Sequence, residues 1–165
     1  MITHIFKVFF SLFDFSSDVW YGIAMSREYP ARPILGVGAV VVSDGRALLV
    51  KRGKEPAKDV WSIPGGMVEI GETIHGAVIR EIREVTGLEI EVGNRLSILE
   101  RIFRDDFGRV RYHYVLIDYR AVPIGGTLAA SSDAAEAAFF TARQLGQLGL
   151  ADITARVVAR ALDGR

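Results

Sequence analysis

The sequence predicts an α/β fold in which a mixed β-sheet lies between helices. Three observations support this prediction: apolar runs of strand length occur in both halves of the chain, one amphipathic helix pattern separates them, and a second helix pattern follows the last strand. This order of elements is typical of a layered domain with one sheet and helices packed on it. At 165 residues, the chain is long enough to bury such a core without disulfides.

The first two strands are predicted at residues 34–42 and 47–50, which are rich in β-branched and apolar side chains. Asp44 and Gly45 lie between them, and an Asp-Gly pair is a common hairpin turn. After a polar loop, residues 61–66 include one Pro and two Gly. No regular helix tolerates that composition, so we expect a tight turn there.

The clearest helix is predicted at residues 73–85. Thr73 suits the N-cap and Gly87 suits the C-terminal stop. The apolar side chains recur at the spacing of one helical face, about 100° per residue, at Ile74, Ala77, Val78, Ile82 and Val85. We therefore expect an amphipathic helix with one apolar face.

The second half of the chain is predicted to be mainly sheet, because its apolar stretches are short and rich in β-branched and aromatic residues. The predicted elements are, in order, strands at residues 88–92, 96–102 and 110–119 with a turn at 104–108, a short strand at 136–140, and helices at 141–148 and 153–162.

Residues 1–24 differ from the rest of the chain. They are rich in Phe, Ile, Val and Leu, but three charged residues interrupt the apolar run before it reaches the roughly 20 residues that span a membrane. We expect an N-terminal extension, either an addition upstream of a natural start at Met25 or a loosely attached arm. Membrane attachment through this arm is a minor alternative. A single domain is expected at residues 25–165.

The composition excludes several classes of function. Lys plus Arg and Asp plus Glu both number 20, and the chain has no Cys. Balanced charge gives no overall attraction to nucleic acid polymers or anionic membranes, so we expect a small-molecule partner. Without Cys there is no disulfide framework, thiolate nucleophile or Cys-ligated zinc site. This fits a cytoplasmic protein.

The most informative segment begins at Gly66. A glycine corner leads into the predicted helix, which carries Glu81 and Glu84 about one turn apart, where two carboxylates can share a cation. Arg80 lies four residues before Glu84 and eight after Glu72, so it can pair with either acid. Carboxylates suit Mg²⁺ or Mn²⁺, and such ions neutralise a diphosphate so that water can attack phosphorus.

This segment resembles the signature of the Nudix hydrolases: Gly, five residues, Glu, seven residues, Arg-Glu, an aliphatic residue, any residue, Glu-Glu, any residue, Gly and an aliphatic residue. Every position matches except one, because Val85 stands where the signature has the second Glu of its Glu-Glu pair. The resemblance covers roughly residues 34–148. It implies an α/β/α sandwich and metal-dependent hydrolysis of a pyrophosphate bond in a nucleoside diphosphate linked to another group.

The resemblance also implies roles for individual residues. Glu81 and Glu84 correspond to metal ligands, the Gly66 carbonyl to a further ligand, and Glu72 with Arg80 to the pair that braces the loop. These four side chains are the candidate catalytic residues, with Mg²⁺ or Mn²⁺ as the cofactor.

Val85 leaves three interpretations open: fewer metal ions, a replacement carboxylate, or weakened catalysis. It lies about 40° from Glu81 in helical projection, close to the apolar stripe, so it can join the core. Glu136 is the first candidate replacement ligand, although a solvated position before a strand explains it equally well. Asp105 and Asp106 rank lower, because turn chemistry accounts for them.

Three further residues are candidates for binding substrate. Arg52 and Lys54 follow a strand and precede the glycine corner, so their charges can reach phosphates, although a solvated loop is the simpler explanation. His113 lies between two Tyr residues in a predicted strand and either faces the substrate or fills a half-buried position.

The substrate is predicted only by resemblance. The Arg-Gly-Lys-Glu-Pro and Tyr-His-Tyr-Val-Leu-Ile-Asp segments resemble the ADP-ribose pyrophosphatase-like branch, which implies ADP-ribose or a nucleotide sugar. A Pro that marks many ADP-ribose enzymes downstream of the signature is absent, so a nucleoside triphosphate pyrophosphohydrolase that removes damaged nucleotides stays open. A nucleotide-binding module with weakened catalysis is the other alternative. Members of this family often dimerise, so a homodimer is also expected.

Overall fold

The computed structural model describes residues 27–53, 58–130 and 134–164. The extension expected at residues 1–24 and the candidate Lys54 lie outside these ranges. None of the described helices is long and apolar enough to cross a membrane.

The described residues form the predicted strands and helices in the predicted order, with two additional short strands in and beside the segment where a tight turn was expected. The strands are β1 (Ile34–Ser43), β2 (Arg46–Arg52), β3 (Trp61–Ser62), β4 (Gly65–Met67), β5 (Leu88–Arg104), β6 (Val110–Gly126) and β7 (Ala134–Phe140); the helices are α1 (Ile74–Thr86) between β4 and β5, and α2 (Ala142–Leu145) and α3 (Asp152–Leu162) after β7.

The sheet is mixed. β1 pairs in parallel with β6, from Ile34 opposite Tyr114 to Val41 opposite Ala121. The pairs of β1 with β2 and β4, of β2 with β3 and β7, and of β5 with β6 are antiparallel. The main strand order is β3-β2-β1-β6-β5. A parallel pair requires a long crossover, and the chain between β1 and β6, which contains α1, provides it.

The helices lie on opposite faces of the sheet. Val37 of β1 packs in one core cluster with Ile82 of α1, and Val40 packs in another with Val158 of α3. Because successive side chains of a strand point to opposite faces, these two clusters lie on the two sides of β1. The prediction of a mixed sheet between helices, an α/β/α sandwich, is confirmed.

Helix α1 begins and ends as the sequence predicts. The N-cap Thr73 accepts a hydrogen bond through its hydroxyl from the Gly76 backbone N–H. At the C-terminus, Gly87 has φ +72° and donates its N–H to the Arg83 carbonyl. A side chain at position 87 would be strained at this φ and would also overlap the Thr127 carbonyl. The helix is therefore fixed at both ends by local chemistry.

Two elements differ from the prediction. β5 is one strand, although two were expected, because register shifts around Arg95 let extra residues bulge without ending the strand. α2 is shorter than the predicted 141–148. A capping box at Thr141 starts it, but its C-cap is Gly146 and Gly149 has φ +63°, a conformation outside the helical region.

Candidate active site

Arg80 of α1 joins three glutamates. Its Nε donates to Oε2 of Glu72 at 3.1 Å, and its Nη2 donates to Oε1 of the same residue at 2.6 Å. Its Nη1 donates to Oε1 of Glu81 at 2.9 Å and to Oε2 of Glu84 at 3.2 Å. The side chains of Arg80, Glu72 and Glu81 are mostly buried, whereas that of Glu84 is 54% exposed. One guanidinium therefore gathers three carboxylates, with Glu84 on the solvent side.

The same guanidinium fixes the loop between β4 and α1. Arg80 Nη2 donates to the Met67 carbonyl at 3.0 Å. Glu72 Oε1 also accepts a hydrogen bond of 2.7 Å from the Glu69 backbone N–H. Charge-assisted hydrogen bonds of this kind are stronger than neutral ones and set geometry as well as energy. Arg80 and Glu72 therefore connect the loop to the helix. The bracing role predicted for this pair requires such contacts.

Gly66 leaves the space that the Glu81 carboxyl occupies. A Cβ built on Gly66 would overlap all three atoms of that carboxyl group. Burial raises the pKa of Glu81, while the hydrogen bond and charge of Arg80 act in the opposite direction. The hydrogen bond from Arg80 holds the pKa of Glu72 below its usual range. The two acids therefore have different environments within one cluster.

The backbone at Gly66 is engaged in the sheet. Gly66 lies opposite Val37 in the β1–β4 ladder, and its carbonyl oxygen lies 3.3 Å from the position of a Cβ on Gly36, on the side of β1. Consecutive residues of an antiparallel strand direct their carbonyls to opposite sides, so Gly65 turns its carbonyl away from β1. The carbonyl of Gly65, which the sequence did not single out, therefore lies outside the β1–β4 ladder.

Val85 packs into the core and supplies no polar atom to the cluster. It is 9% exposed and lies in a small apolar cluster with Val50 and Ala134. Across the described ranges, no three Asp, Glu or His side chains are arranged as a ready-made metal site. The helix therefore presents two acids, Glu81 and Glu84, at the positions where the signature has three.

The donor set of those two acids fits one divalent cation. Oxygens of both carboxylates lie within hydrogen-bond distance of the same nitrogen, Arg80 Nη1, so the two groups are close together. The remaining oxygens, Oε2 of Glu81 and Oε1 of Glu84, accept no hydrogen bond within the described part of the chain. Free carboxylate oxygens at one point suit Mg²⁺ or Mn²⁺.

Glu136 lies on the other face of the sheet. It stands opposite Lys51 in the β2–β7 ladder and forms an ion pair with it, Nζ to Oε1, at 3.0 Å. Its neighbour Ala137 packs toward the Val85 cluster, and adjacent strand residues point to opposite faces. The structure therefore does not bring Glu136 together with Glu81, because strand alternation turns its side chain away from α1.

Asp105, a lower-ranked candidate for the replacement ligand, stabilises a turn. Its Oδ1 accepts hydrogen bonds from the backbone N–H groups of Phe107 and Arg109 at 3.0 and 2.9 Å. Its Oδ2 accepts from Arg109 Nε at 2.8 Å and from the Tyr29 hydroxyl at 3.1 Å. These contacts close the β5–β6 turn and occupy both oxygens.

The described candidates for binding substrate are His113 and Arg52. His113 Nε2 lies 3.2 Å from Oε1 of Glu100 on the neighbouring strand. Arg52 ends β2, where its N–H donates to the Val60 carbonyl at 3.0 Å. Burial raises the pKa of Tyr114, and the nearby charge of Arg52 opposes that rise.

One buried acid, Asp118, was not predicted from the sequence. Asp118 lies in the middle of β6, is 6% exposed, and accepts a hydrogen bond from the Ser97 hydroxyl at 2.9 Å. Burial raises its pKa, while the bond from Ser97 acts against the rise. The only signal in the sequence was an Asp directly after Val115, Leu116 and Ile117, a position where an apolar or aromatic side chain is usual.

Comparisons with known proteins show the family of this chain. Residues 32–162 match the NUDIX domain family. An ADP-ribose pyrophosphatase of Methanocaldococcus jannaschii is 40% identical over 116 residues, which cover 70% of this chain and 66% of that protein. A MutT-like protein of Streptomyces ambofaciens is 29% identical over 135 residues, covering 82% of this chain and 80% of that protein.

A solved structure supports the fold as well as the family. The MutT NUDIX hydrolase of Burkholderia pseudomallei is 30% identical, with a TM-score of 0.68, over 78% of this chain and 98% of that chain. The expected fold, family and class of enzyme are confirmed by these matches. With the family match extending over residues 32–162 and the acids of the signature gathered around one arginine, the chain belongs to the Nudix hydrolase family.

Proposed function

We propose that this Nudix hydrolase cleaves the pyrophosphate bond of a nucleoside diphosphate linked to another group, with Mg²⁺ or Mn²⁺ as its cofactor. Water attacks one phosphorus, and the products are a nucleoside monophosphate and the phosphorylated second group. ADP-ribose or a nucleotide sugar is the first substrate class. The observation that carries the proposal is the convergence of Glu72, Glu81 and Glu84 on Arg80 beside the glycine corner.

In this proposal Glu81 and Glu84 hold the metal ion, and a carbonyl of the glycine corner completes the protein's ligands. Gly66 was the expected carbonyl, and the Gly65 carbonyl is the alternative because it points away from β1. When bound, the cation supplies charge neutralisation of the diphosphate oxygens and activation of water. Arg80 and Glu72 hold the loop so that both carboxylates stay on the same side of the helix.

Glu136 is left out of the ligand set that we propose. Its carboxylate is engaged by Lys51, and strand alternation points it to the face away from α1. With Val85 in the core, the helix and glycine corner then bind fewer metal ions than the full signature allows. Fewer ligands predict a lower metal affinity, with a requirement for high magnesium or for manganese.

The proposed substrate class rests on the relatives. The relative from Methanocaldococcus jannaschii is named an ADP-ribose pyrophosphatase, and this chain covers 66% of it. Arg52 keeps its proposed role, because it ends β2 and its backbone N–H donates to Val60, just before the segment that leads to the glycine corner. His113 is the weaker candidate for binding substrate, because its ring already contacts Glu100. Lys54 keeps its role as a proposal.

The test is a substrate panel with product identification. The full chain is mixed with ADP-ribose, nucleotide sugars and nucleoside triphosphates, with Mg²⁺, Mn²⁺ or EDTA, and products are separated by anion exchange. We expect AMP and ribose phosphate from ADP-ribose, with no turnover in EDTA. Glu84→Gln should lower turnover by about a hundredfold or more. The matched control is Glu91→Gln on exposed β5, which should retain the wild-type rate.

Two alternatives predict different results in the same panel. The MutT-like relative and the MutT solved structure favour nucleoside triphosphates, which would release pyrophosphate and a nucleoside monophosphate. A binding module with weakened catalysis would bind nucleotides and show equal residual rates in wild type and Glu84→Gln. That equality would exclude the enzymatic proposal. A homodimer and a cytoplasmic location stay predictions.

A further inference from the structure

Asp118 is a buried acid that the proposed chemistry does not use. It lies on β6 directly opposite Gly38 of β1 in the parallel ladder, and paired residues of a ladder point to the same face. Residue 38 has the same parity as Val40, which packs with α3. Asp118 therefore points to the face opposite α1, away from Glu81 and Arg80.

Only one oxygen of this carboxyl group is satisfied. Oδ2 accepts the hydrogen bond from Ser97, and Oδ1 has no hydrogen bond to any part of the chain that the structure describes. In that part of the chain, every buried side-chain oxygen that solvent cannot reach has a hydrogen-bond partner. Oδ1 therefore remains slightly accessible to solvent, although Asp118 as a whole is only 6% exposed.

The absence of a side chain at Gly38 creates the space for this oxygen. A Cβ there would lie 2.9 Å from Asp118 Oδ1, 3.2 Å from Ile63 Cγ2 and 3.2 Å from the Pro64 carbonyl oxygen. Pro64 directly precedes the glycine corner at Gly65. The free oxygen of Asp118 is therefore close to the segment that leads into the candidate metal site.

The surroundings of this oxygen are largely apolar. Ile63 packs beside Gly38, and Leu116 of β6 packs over Gly36, where a Cβ would lie 2.7 Å from its Cδ2. Ser97, the donor to this carboxyl group, also lines a cavity of about 190 Å³ between β5 and α3, together with Leu96, Leu99, Ile153, Val157, Arg156 and Arg160. Small-molecule sites typically combine apolar walls with a few fixed polar groups.

A carboxyl group in this position is costly to the fold. Removing a charged or polar group from water without full hydrogen bonding is unfavourable, and one bond from Ser97 leaves half of the acceptor capacity unused. An N–H donor from a ligand would supply what the described chain does not. Buried groups with shifted ionisation in a cleft are candidates for such a function.

We propose that Asp118 selects the nucleobase of the substrate, with Oδ1 accepting a hydrogen bond from an exocyclic amino group of the base. The inference rests on the proposed nucleotide substrate. It predicts a preference for adenine over hypoxanthine, since hypoxanthine has a carbonyl at the position of the amino group and a hydrogen on N1. A carbonyl oxygen facing Oδ1 would place two acceptors against each other.

The binding test uses AMP and IMP, which differ in that group and in the hydrogen on N1, and isothermal titration calorimetry without metal. We expect wild type to bind AMP at least about tenfold more tightly than IMP. Asp118→Asn has the same shape and presents an amide, so the preference should fall below about threefold or reverse. Ser97→Ala leaves the carboxyl group but removes its orienting bond, and should weaken the preference in part.

The matched control is Asp106→Asn in the exposed β5–β6 turn, which should keep the wild-type preference. Circular dichroism and thermal unfolding check that each variant is folded, and Ser97→Ala carries the test if Asp118→Asn does not fold. Equal binding of AMP and IMP by wild type would overturn the inference. So would a preference that survives in folded Asp118→Asn, or one unaffected by Ser97→Ala when that variant carries the test.

A hydrolysis assay separates this inference from the proposed function. ADP-ribose and its hypoxanthine analogue are compared as substrates with Mg²⁺. If neither is cleaved while AMP is still preferred over IMP in binding, the proposed function fails and the base site stands. If both are cleaved with equal kcat/KM, the hydrolase stands and the assignment of Asp118 fails.

Discussion

The Glu81 carboxyl group rests against the backbone of Gly66, at the place where any other residue would carry its Cβ. This contact joins the glycine corner to the helix without a hydrogen bond. Close backbone approach of this kind is a common reason for glycine at a binding site. The position of Glu81 is therefore set from two directions, by Gly66 below it and by Arg80 beside it.

Gly66→Ala should displace Glu81 and lower activity. The new methyl group would overlap the carboxyl group, so Glu81 must turn away from Glu84. We expect at least about a tenfold loss of kcat/KM, since small displacements of positioned groups are costly, together with weaker Mn²⁺ binding by titration. Gly146→Ala is the control, because its φ is −62° and its nearest atom lies at 3.6 Å. Unchanged Mn²⁺ affinity in Gly66→Ala would contradict the proposed ligand.

Glu81→Gln should stabilise the metal-free protein at neutral pH. Because burial raises the pKa of Glu81, the folded chain holds this proton more tightly than the unfolded chain. The associated stability is complete below the unfolded pKa, near 4.5, and is lost as the pH rises through the higher folded pKa. The uncharged Gln avoids this loss.

Urea unfolding in EDTA between pH 4 and pH 8 measures this effect as the free energy of unfolding. Glu81→Gln should exceed wild type at pH 7, and the difference should shrink toward pH 4. Glu91→Gln, on the exposed face of β5, serves as the control for loss of a carboxylate. A less stable Glu81→Gln protein at pH 7 would mean that the ion pair with Arg80 outweighs the cost of burial.

Val85→Glu should lower the stability of the metal-free protein and raise its metal affinity. Val85 contacts the cluster of Val50 and Ala134, so a carboxylate there is costly unless it turns toward Glu81 and a cation. We expect a lower Tm in EDTA, with recovery and a higher apparent Mn²⁺ affinity when metal is added. Val85→Ala also loses packing in this cluster, but its Tm should not recover when metal is added. Equal metal-induced shifts in both variants would refute a carboxylate site at this position.

Glu136→Gln should leave metal affinity and kcat/KM within about twofold of wild type. Its partner is Lys51, and strand alternation directs both side chains away from α1. Mn²⁺ titration and ADP-ribose turnover check this expectation. A large loss of Mn²⁺ binding would indicate that Glu136 is the replacement ligand after all. Its side chain would then have to move to the other face of the sheet when metal binds. Lys51→Gln distinguishes loss of the ion pair from loss of a ligand.

The sequence predicts those parts of the site that local chemistry determines. Thr73 and Gly87 define α1 through capping bonds within a few residues of chain, and the 3.6-residue period places Arg80, Glu81 and Glu84 on one side of it. The burial of Val85 follows from the same period. These features need no knowledge of which strands pair.

Features that depend on distant pairing could not be predicted. The side to which Glu136 points depends on the register of β7 with β2, including the irregularity between Lys51 and Arg52. Asp118 is buried only because β6 lies between β1 and β5, and its bond to Ser97 crosses a register shift in β5. Neither pairing is visible in a window of a few residues.

The parallel pairing of β1 with β6 has a consequence for how the chain folds. Ile34 meets Tyr114 only after the glycine corner, α1 and β5 have been enclosed in one large loop, and closing such a loop costs entropy before its contacts repay it. The β5–β6 hairpin, with its short connection, can form independently and early. We therefore expect the catalytic corner to acquire its final shape late, when the hairpin docks onto β1, so that slow refolding and slow recovery of activity coincide.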